Sequence, residues 1–467
     1  MKPLHHTTWD EAGPSLQEIG RWPLALISLH QRLAPYFARP EPHQHALLYL
    51  QAIVSEIPRK NSWQIAEHAR QERPFGMQRL LSRAVWDEAG VRNELRSLVC
   101  QALNPPPILP ECAEPEALFP VLVLDESGFP KRGTKSAGVQ KQYCGATGRV
   151  ENCQVGVFLS YVTALGHALI DRALYLPEDW CHDLARRRTA HIPQTVTFQT
   201  KPELALRMVQ RAQSASLPIR WVVADTVYGH CPDLRLWLEE QGYAYALAVP
   251  STEVVCVQTQ AGCLLSNVAS IGHRALSAQD WQRLSQSQGT KGERLFDWAI
   301  LPLFQHGAVD ERHWLVFRRC LDSPFEVAYY LVFAPLATPL PTIVQAIGAR
   351  WRIEEDLEAT KDLGLDHYEV RSYVGWYRHI TLVMLASAFL VGLCLQDSHH
   401  RSAQEEPSSP SPLIPLTTSE VRHLLARLIW PAPTAAPLIC RWSQWRRAHQ
   451  YWAGYYHRRR REKAPSA

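Results

Sequence analysis

The segment LFPVLVLDESGFPKRGTKSAG, residues 118–138, constrains the fold of this chain more than any other. A run of apolar residues typical of a buried strand ends there on a carboxylate, Asp125, and a glycine-rich loop follows. That loop carries three basic residues, Lys131, Arg132 and Lys135. Because a buried charge is costly unless it is paired or binds a metal, we expect a positive group beside Asp125.

The composition is that of a soluble globular protein with more than one domain. Of its 467 residues, 46% are hydrophobic and 20% are charged, and the length exceeds one ordinary core. A net charge of only +4 does not by itself indicate nucleic-acid binding. The eleven cysteines form no CxxC pair, which argues against a disulfide framework and a structural zinc site and favours a cytoplasmic protein.

Several functional classes find no support in the sequence. The most apolar stretch, residues 380–395, is shorter than a membrane span and is expected to form a buried core helix. No GxGxxG, P-loop or HExxH motif occurs, so neither a nucleotide cofactor nor zinc proteolysis is indicated. We therefore expect no membrane and no nucleotide among the partners of this chain.

The first 103 residues form a helical domain in our interpretation. Asn61 or Ser62 is placed to cap a short helix, a turn is expected over 73–76, and a second helix over 77–84. Two short helices around a tight turn resemble a helix-turn-helix, although a plain helical bundle with a solvated basic face has the same pattern. Residues 104–118 are rich in proline and predict a linker.

After the linker the pattern changes to alternating strands and helices. A strand, a β-hairpin, a helix, a strand ending at Asp225, a helix and a further strand predict an α/β core over 119–250. Residues 251–335 indicate a β-rich insertion, and the core resumes with helices over 336–400. We thus predict one α/β core in two parts.

The C-terminal region, residues 401–467, combines a proline-rich loop with helices. Its last stretch, CRWSQWRRAHQYWAGYYHRRRREK, is densely basic and interleaved with aromatic residues, including Arg446 and Arg447. That combination suits phosphate contact with base stacking. An amphipathic terminal helix with a solvated basic face remains the alternative.

Two apolar strands of the predicted core each end in an aspartate, in VLVLD at Asp125 and in WVVAD at Asp225. Either carboxylate alone could simply cap a turn or the following helix. Together, on strands that can lie side by side, they suggest a shared metal site. Carboxylate ligands favour Mg²⁺ or Mn²⁺ over Zn²⁺.

A third carboxylate can be chosen from the acidic segment RWRIEEDLE by helical geometry. At about 100° per residue, Arg350, Glu354 and Lys361 fall within roughly 40° of one another, whereas Glu355 and Asp356 point elsewhere. Glu354 therefore shares a face with two cations that can hold phosphate. Ordinary salt bridges on a solvated helix face are the alternative.

Three blocks of this sequence resemble the catalytic blocks of DDE transposases of bacterial insertion sequences, of the DDE superfamily endonuclease branch. They are VLVLDESGFPKRG, WVVADTVYGH and RWRIEEDLEATKDLG, and the third matches the Arg-x3-Glu-x6-Lys signature as Arg350, Glu354 and Lys361. Where many relatives have a tyrosine three residues before the arginine, this chain has Ile347. The similarity also extends into both helical ends of the chain.

The resemblance implies an RNase H-like catalytic core with a β-strand insertion, an N-terminal all-α DNA-binding domain and C-terminal helices. It implies that Asp125, Asp225 and Glu354 are catalytic and hold metal, and we expect two ions, Mg²⁺ or Mn²⁺. The predicted DNA contacts are Lys131, Arg132, Lys135, Arg350, Lys361, Arg59, Lys60, Arg446 and Arg447.

The function predicted from these features is metal-dependent cleavage and strand transfer of DNA. The partners would be double-stranded DNA, both inverted-repeat ends and target, and a second copy of the chain in a homodimer. The enzyme would be located in the bacterial cytoplasm, and it would be associated with the nucleoid when it is bound to DNA. Two alternatives are a host endonuclease with the same core but without strand transfer, and a domesticated DNA-binding protein that does not cleave.

Overall fold

The computed structural model describes residues 13–104, 120–259, 262–289, 292–305, 308–323, 325–404, 414–431 and 435–462. Residues 105–118 of the predicted linker lie outside these ranges. Residues 405–413 of the predicted proline-rich loop also lie outside them.

The N-terminal region is helical, as the apolar periodicity predicts. Its helices are α1 (Leu16–Ile19), α2 (Trp22–Arg32), α3 (Pro40–Val54), α4 (Ser62–His68), α5 (Phe75–Ser82) and α6 (Glu88–Leu103). The Asn61 side chain caps α4 by accepting from the backbone N–H groups of Trp63 and Gln64, at 3.1 and 3.0 Å. A six-residue connection separates α4 from α5, so the predicted pair of short helices around a turn is present.

In the described part of the chain, twelve strands form one mixed sheet. They are β1 (Val121–Pro130), β2 (Gln140–Cys144), β3 (Arg149–Thr163), β4 (Gly166–Tyr175), β5 (Trp221–Ala224), β6 (Ala244–Val249), β7 (Val254–Thr259), β8 (Gly262–Asn267), β9 (Gln282–Gly289), β10 (Gly292–Gln305), β11 (Ala308–Arg319) and β12 (Val327–Phe333).

The catalytic half of the sheet has the order β4-β3-β1-β5-β6. β3 runs antiparallel to both β1 and β4, whereas β1, β5 and β6 are parallel. This is the strand arrangement of an RNase H-like core, which confirms the predicted fold class. The helices of this half are α7 (Glu178–His182), α8 (Leu184–Thr189), α9 (Lys201–Ser214), α10 (Thr226–Gly229) and α11 (Pro232–Glu240).

The insertion continues the core sheet instead of forming a separate layer. β6 pairs with β12, and the sheet then runs through β11 and β10 to the hairpin of β7 and β8, with α12 (Val268–Ala275) packed on that hairpin. Cys256 and Cys263 form a disulfide across this hairpin, which the scattered spacing of the cysteines does not predict. The insertion thus covers the edge that β6 would otherwise expose.

The chain returns to the core through α13 (Leu340–Gly348) and α14 (Trp351–Asp362), two helices where the sequence pattern suggests one. The break falls at Gly348, where an added Cβ would lie 2.3 Å from the carbonyl oxygen of Gln286 on β9. Only glycine permits this close approach. Gly364, with φ of +90°, follows the end of α14.

The remaining helices are α15 (Tyr373–Gln404), α16 (Thr418–Leu424) and α17 (Ala436–Glu462). By length and composition the stretch Tyr373–His399 of α15 is long enough to cross a membrane, but 67% of its apolar window is buried by the rest of the chain. Burial against α3, α5, α6 and β4 is what a core helix requires, and it accounts for the apolar composition.

Candidate active site

The first aspartate lies within a strand and not at its end, contrary to the sequence interpretation. β1 passes through Asp125 and stays paired with β3 as far as Pro130. The parallel pairing with β5 stops one residue earlier, at Leu124 opposite Ala224. Asp125 therefore marks the position where β5 leaves the sheet, because β3 is long enough to pair with the whole of β1.

Asp125 and Asp225 occupy corresponding positions on neighbouring parallel strands. Each is the next residue after the last paired position, Leu124 with Ala224, so both carboxylates emerge at the same edge of β1 and β5. The Asp225 side chain also caps α10, accepting from the backbone N–H of Val227 at 3.0 Å. Asp225 therefore caps a helix and also lies beside Asp125.

Arg350 is the positive group that lies beside Asp125. Its guanidinium lies 3.7 Å from Asp125 Oδ2 and donates a 2.5 Å hydrogen bond to Glu354 Oε1. The connection between α13 and α14 brings this arginine over the edge of β1. Asp125 and Glu354, 229 positions apart in the sequence, are thus joined through one guanidinium.

The carboxylates of this site are short of positive charge. Burial raises the pKa of Asp125 to about 7, with the charge of Asp225 as the second cause, and Arg350 offsets this only in part. Burial also raises the pKa of Asp225, with Glu126 adding to the effect. Clustered carboxylates with raised pKa values are typical of sites that bind cations.

The two acidic residues that follow Glu354 on α14, Glu355 and Asp356, face away from Asp125. His167 on β4 contacts both of them, with Nδ1 2.9 Å from Asp356 Oδ1 and Nε2 3.3 Å from Glu355 Oε2. Asp356 is buried and also accepts a short hydrogen bond from Ser160. The selection of Glu354 by helical geometry therefore agrees with the packing of α14, while its catalytic role stays a prediction.

We expect His167→Gln to destabilise the protein more at pH 6 than at pH 9.5. Burial alone would lower the pKa of His167, but Asp356 and Glu355 raise it to about 9. The stabilisation by the imidazolium is fully present below its unfolded pKa of about 6.5 and is lost as the pH rises through about 9. Urea unfolding should show a loss of roughly 1.5–3 kcal/mol at pH 6, and an equal loss at both pH values would contradict the ionic role.

Three residues beside the aspartates were not singled out as partners from the sequence. Glu126 points to the opposite face of β1, as strand geometry predicts, and its Oε1 accepts from Lys201 Nζ of α9 at 2.5 Å. Its Oε2 is buried without a hydrogen-bond partner among the described residues, and so is the hydroxyl of Tyr228 on α10. Burial, and then the charges of Glu126 and Asp225, raise the pKa of Tyr228.

The basic loop after β1 is held more firmly than the sequence suggests. Lys131 donates from Nζ to the backbone oxygen of Tyr368 at 2.7 Å, and burial lowers its pKa to about 8. The Lys131 ammonium thus binds within the protein, whereas the sequence analysis predicted that it contacts DNA. Arg132 and Lys135 are exposed and stay predicted DNA contacts.

Gly128 does not belong to this loop, although the sequence pattern places a glycine-rich loop directly after Asp125. It lies in β1, where an added Cβ would meet Cys144 Sγ at 2.4 Å, so its role is close packing of β1 on β2. Gly133 and Gly138, with φ of +86° and +76°, do supply the turn that the loop needs.

The predicted DNA contacts in the two helical ends of the chain separate into buried and exposed residues. Lys60 is 1% exposed. It donates to the carbonyl oxygens of Ser55 and Ile57, so the prediction that it binds DNA is corrected. Its neighbour Arg59 is exposed.

On α17, Arg446 pairs with Glu67 of α4 at 2.5 Å, whereas Arg447 is exposed. The C-terminal basic helix therefore packs on the helix-turn-helix-like region by its first half. Lys361, on α14, is half-buried and has no charged partner among the described residues.

The donor chemistry of the site suits a hard divalent cation, although the side chains are not arranged as a finished metal cage. Among the described residues, no three His, Cys, Asp or Glu side chains lie together as a ligand set. Arg350 occupies the position between Asp125 and Glu354 that a cation would need. Oxygen donors with raised pKa values fit Mg²⁺ or Mn²⁺, since such ions replace the missing positive charge.

The sequence model of a protein family described as DDE superfamily endonuclease matches residues 32–274, slightly more than half of the chain. The chain belongs to this family. The match includes Asp125 and Asp225 and ends before Glu354. The prediction drawn from the three motif blocks is thereby confirmed at the level of the family, whose members generally use divalent metal ions to cleave DNA.

One sequence and one solved structure are similar to this chain over most of their length. This DDE endonuclease is 22% identical over 365 residues to the "Probable transposase for insertion sequence element IS701" of Microchaete diplosiphon, covering 75% of this chain and 83% of that protein. A cryo-EM structure of the piggyBac transposase synaptic complex with hairpin DNA is 12% identical, with a TM-score of 0.39, covering 87% of this chain and 76% of that one.

Proposed function

We propose that this endonuclease is the transposase of a bacterial insertion sequence, which binds the ends of its element and catalyses strand cleavage and strand transfer. The observation that supports the proposal is that Arg350 lies beside both Asp125 and Glu354, at the sheet edge where Asp125 and Asp225 follow the last paired residues of β1 and β5. The similarity to the IS701 protein over most of both chains favours transposition over a host endonuclease.

Asp125, Asp225 and Glu354 would hold two divalent cations, Mg²⁺ or Mn²⁺. Such ions lower the pKa of water and neutralise charge on the attacking and leaving oxygens of a phosphodiester. In the proposed site, all three carboxylates would serve as oxygen ligands. Arg350 contacts Asp125 and Glu354, and its guanidinium would supply hydrogen-bond donors to a DNA phosphate beside them.

The remaining residues of the site orient the substrate in this proposal. Lys361 shares the helix face of Glu354, and Arg132 and Lys135 lie exposed on the loop after β1, so these three cations would neutralise phosphates beside the scissile bond. A 3′-hydroxyl released by cleavage would attack target DNA in the same site. Because water and this hydroxyl are the nucleophiles, no serine, tyrosine or cysteine of the chain is required.

Recognition of the element ends is assigned to the helical ends of the chain. The α4–α5 pair with Arg59, and α17 with Arg447, present exposed cations on one packed unit. Two ends must be brought together for transposition, so we propose that a homodimer forms on DNA, in the bacterial cytoplasm.

Incubation of the full-length protein with its own element ends tests this function. We expect Mg²⁺-dependent nicks at the boundary between element and flanking DNA, and none at the same position of a duplex whose terminal repeat is shuffled. Equal cutting of both duplexes would favour a host endonuclease. End binding without cutting in Mg²⁺ or Mn²⁺ would favour a domesticated DNA-binding protein.

A further inference from the structure

An arginine-lined cavity of about 310 Å³ lies between β4, α9, α6 and the beginning of α15. Its charged lining residues are Arg92, Arg172, Arg207 and Arg211, and none of the three predicted catalytic carboxylates takes part in it. Thr195 and Thr197 add hydroxyl groups to the wall. The cavity thus gathers four guanidinium groups from three different elements.

One fully buried carboxylate, Asp171 on β4, faces this cluster. Arg211 Nε and Arg96 lie 2.9 Å from Asp171, and Arg92 lies at 3.5 Å. Arg172 is 3.8 Å away and also experiences the charge of Glu88. Four arginines therefore surround Asp171, and Arg207 adds a fifth guanidinium to the region, which leaves an excess of positive charge.

Two arginines of the wall have unused hydrogen-bonding capacity. The Nε of Arg172 is buried and has no hydrogen-bond partner among the described residues, although the side chain is only 2% exposed. Arg207 is exposed at the mouth of the cavity, and no acceptor or carboxylate in the described chain contacts it. An unpaired buried donor beside surplus positive charge is costly unless an anion approaches it.

Burial and mutual repulsion disfavour the charged form of two arginines in this cluster. Burial lowers the pKa of Arg172 to about 10, with the repulsion of Arg92 opposing the attraction of Asp171. Burial likewise lowers the pKa of Arg96. Guanidinium groups match the oxygens of phosphate in geometry as well as in charge.

We propose that this cavity is an oxyanion site that takes a phosphate group, supplied either by the DNA backbone or by free phosphate or pyrophosphate. Arg207 and Arg172 hold the oxygens, Arg92 and Arg211 supply charge, and Asp171 keeps the arginines in place. This site goes beyond the proposed cleavage function, since its ligand chemistry follows from the arginine cluster alone.

Titration calorimetry of the full-length protein with pyrophosphate tests the site. The variant is Arg207→Gln, because Arg207 is exposed and has no partner whose loss would disturb folding. The matched control is Arg220→Gln, an exposed arginine outside the cavity wall. We expect Arg207→Gln to weaken binding about tenfold or more, the loss of one charge-assisted contact, and Arg220→Gln to leave it unchanged.

Titration in the presence of an element-end duplex identifies the source of the phosphate. If DNA supplies it, an element-end duplex should abolish the heat of pyrophosphate binding, and Arg207→Gln should lower the salt dependence of duplex binding by about one unit of slope. If a free anion is the ligand, pyrophosphate should bind equally well to the DNA complex.

Two results would overturn the site. One is pyrophosphate affinity that is the same for the wild type and Arg207→Gln. The other is no pyrophosphate binding by the wild type, combined with duplex affinity and salt dependence that are the same for Arg207→Gln and Arg220→Gln.

Discussion

Replacing Asp125 with asparagine should reduce DNA cleavage about a thousandfold or more while leaving duplex binding largely unchanged. Asparagine keeps the shape of the side chain but removes the charge that would bind the proposed cations. A metal ion contributes several kcal/mol to transition-state stabilisation, and a loss of about 4 kcal/mol corresponds to about a thousandfold in rate. Single-turnover cleavage of an element-end duplex in Mg²⁺, with binding followed by gel shift, measures both quantities.

α14 offers a matched pair of variants for the same experiment. Glu354 and Glu355 are adjacent carboxylates, but Glu354 contacts Arg350 beside Asp125, whereas Glu355 contacts His167 and Arg352. Glu354→Gln should lose cleavage as Asp125→Asn does, and Glu355→Gln should retain it. Equal activity of the two variants would remove Glu354 from the site.

Asp171→Asn should destabilise the fold by about 3–5 kcal/mol, since it leaves buried arginines without their shared counter-ion. Burial alone would raise the pKa of Asp171, but Arg211 and Arg92 lower it overall, so the carboxylate is charged in the native state. The hydrogen bonds that Asp171 accepts from Arg96 and Arg211 also connect α6 and α9 to β4. Their loss should therefore weaken the packing of the N-terminal helices on the core.

Urea unfolding of the full-length protein measures this loss, with Asp322→Asn as the control. Asp322 is exposed and has no charged partner in the described chain, so its variant should stay within about 0.5 kcal/mol of wild type. Similar unfolding free energies for the two variants would show that the arginines do not depend on Asp171.

The main features of the catalytic core could be predicted because they depend on local patterns. Two continuous apolar runs that each end in aspartate predicted β1 and β5, and parallel strands bring such ends to one edge. Helical periodicity likewise separated Glu354 from Glu355. Local patterns do not predict that Arg350 is the partner of Asp125, because the two residues come together only when α14 packs against β1.

The incorrect predictions concern properties that depend on contacts distant in sequence. Arg59 and Lys60 are neighbours with the same charge, yet Arg59 is exposed while Lys60 is buried beside Ser55. A β-rich insertion was predicted at 251–335 and its strands are present, but the pairing of β12 with β6, which makes the insertion an extension of the core sheet, was not predicted. The local periodicity of the sequence shows neither that a lysine stem is buried nor that two strands 80 positions apart are paired.

Counting bound Mn²⁺ by electron paramagnetic resonance, in the presence of an element-end duplex, tests the central claim most directly. We predict two ions for the wild-type protein and for Glu355→Gln, and fewer than two for Asp125→Asn, Asp225→Asn and Glu354→Gln. Two ions bound with wild-type affinity in all three of these variants would contradict the assignment of the metal site to these carboxylates.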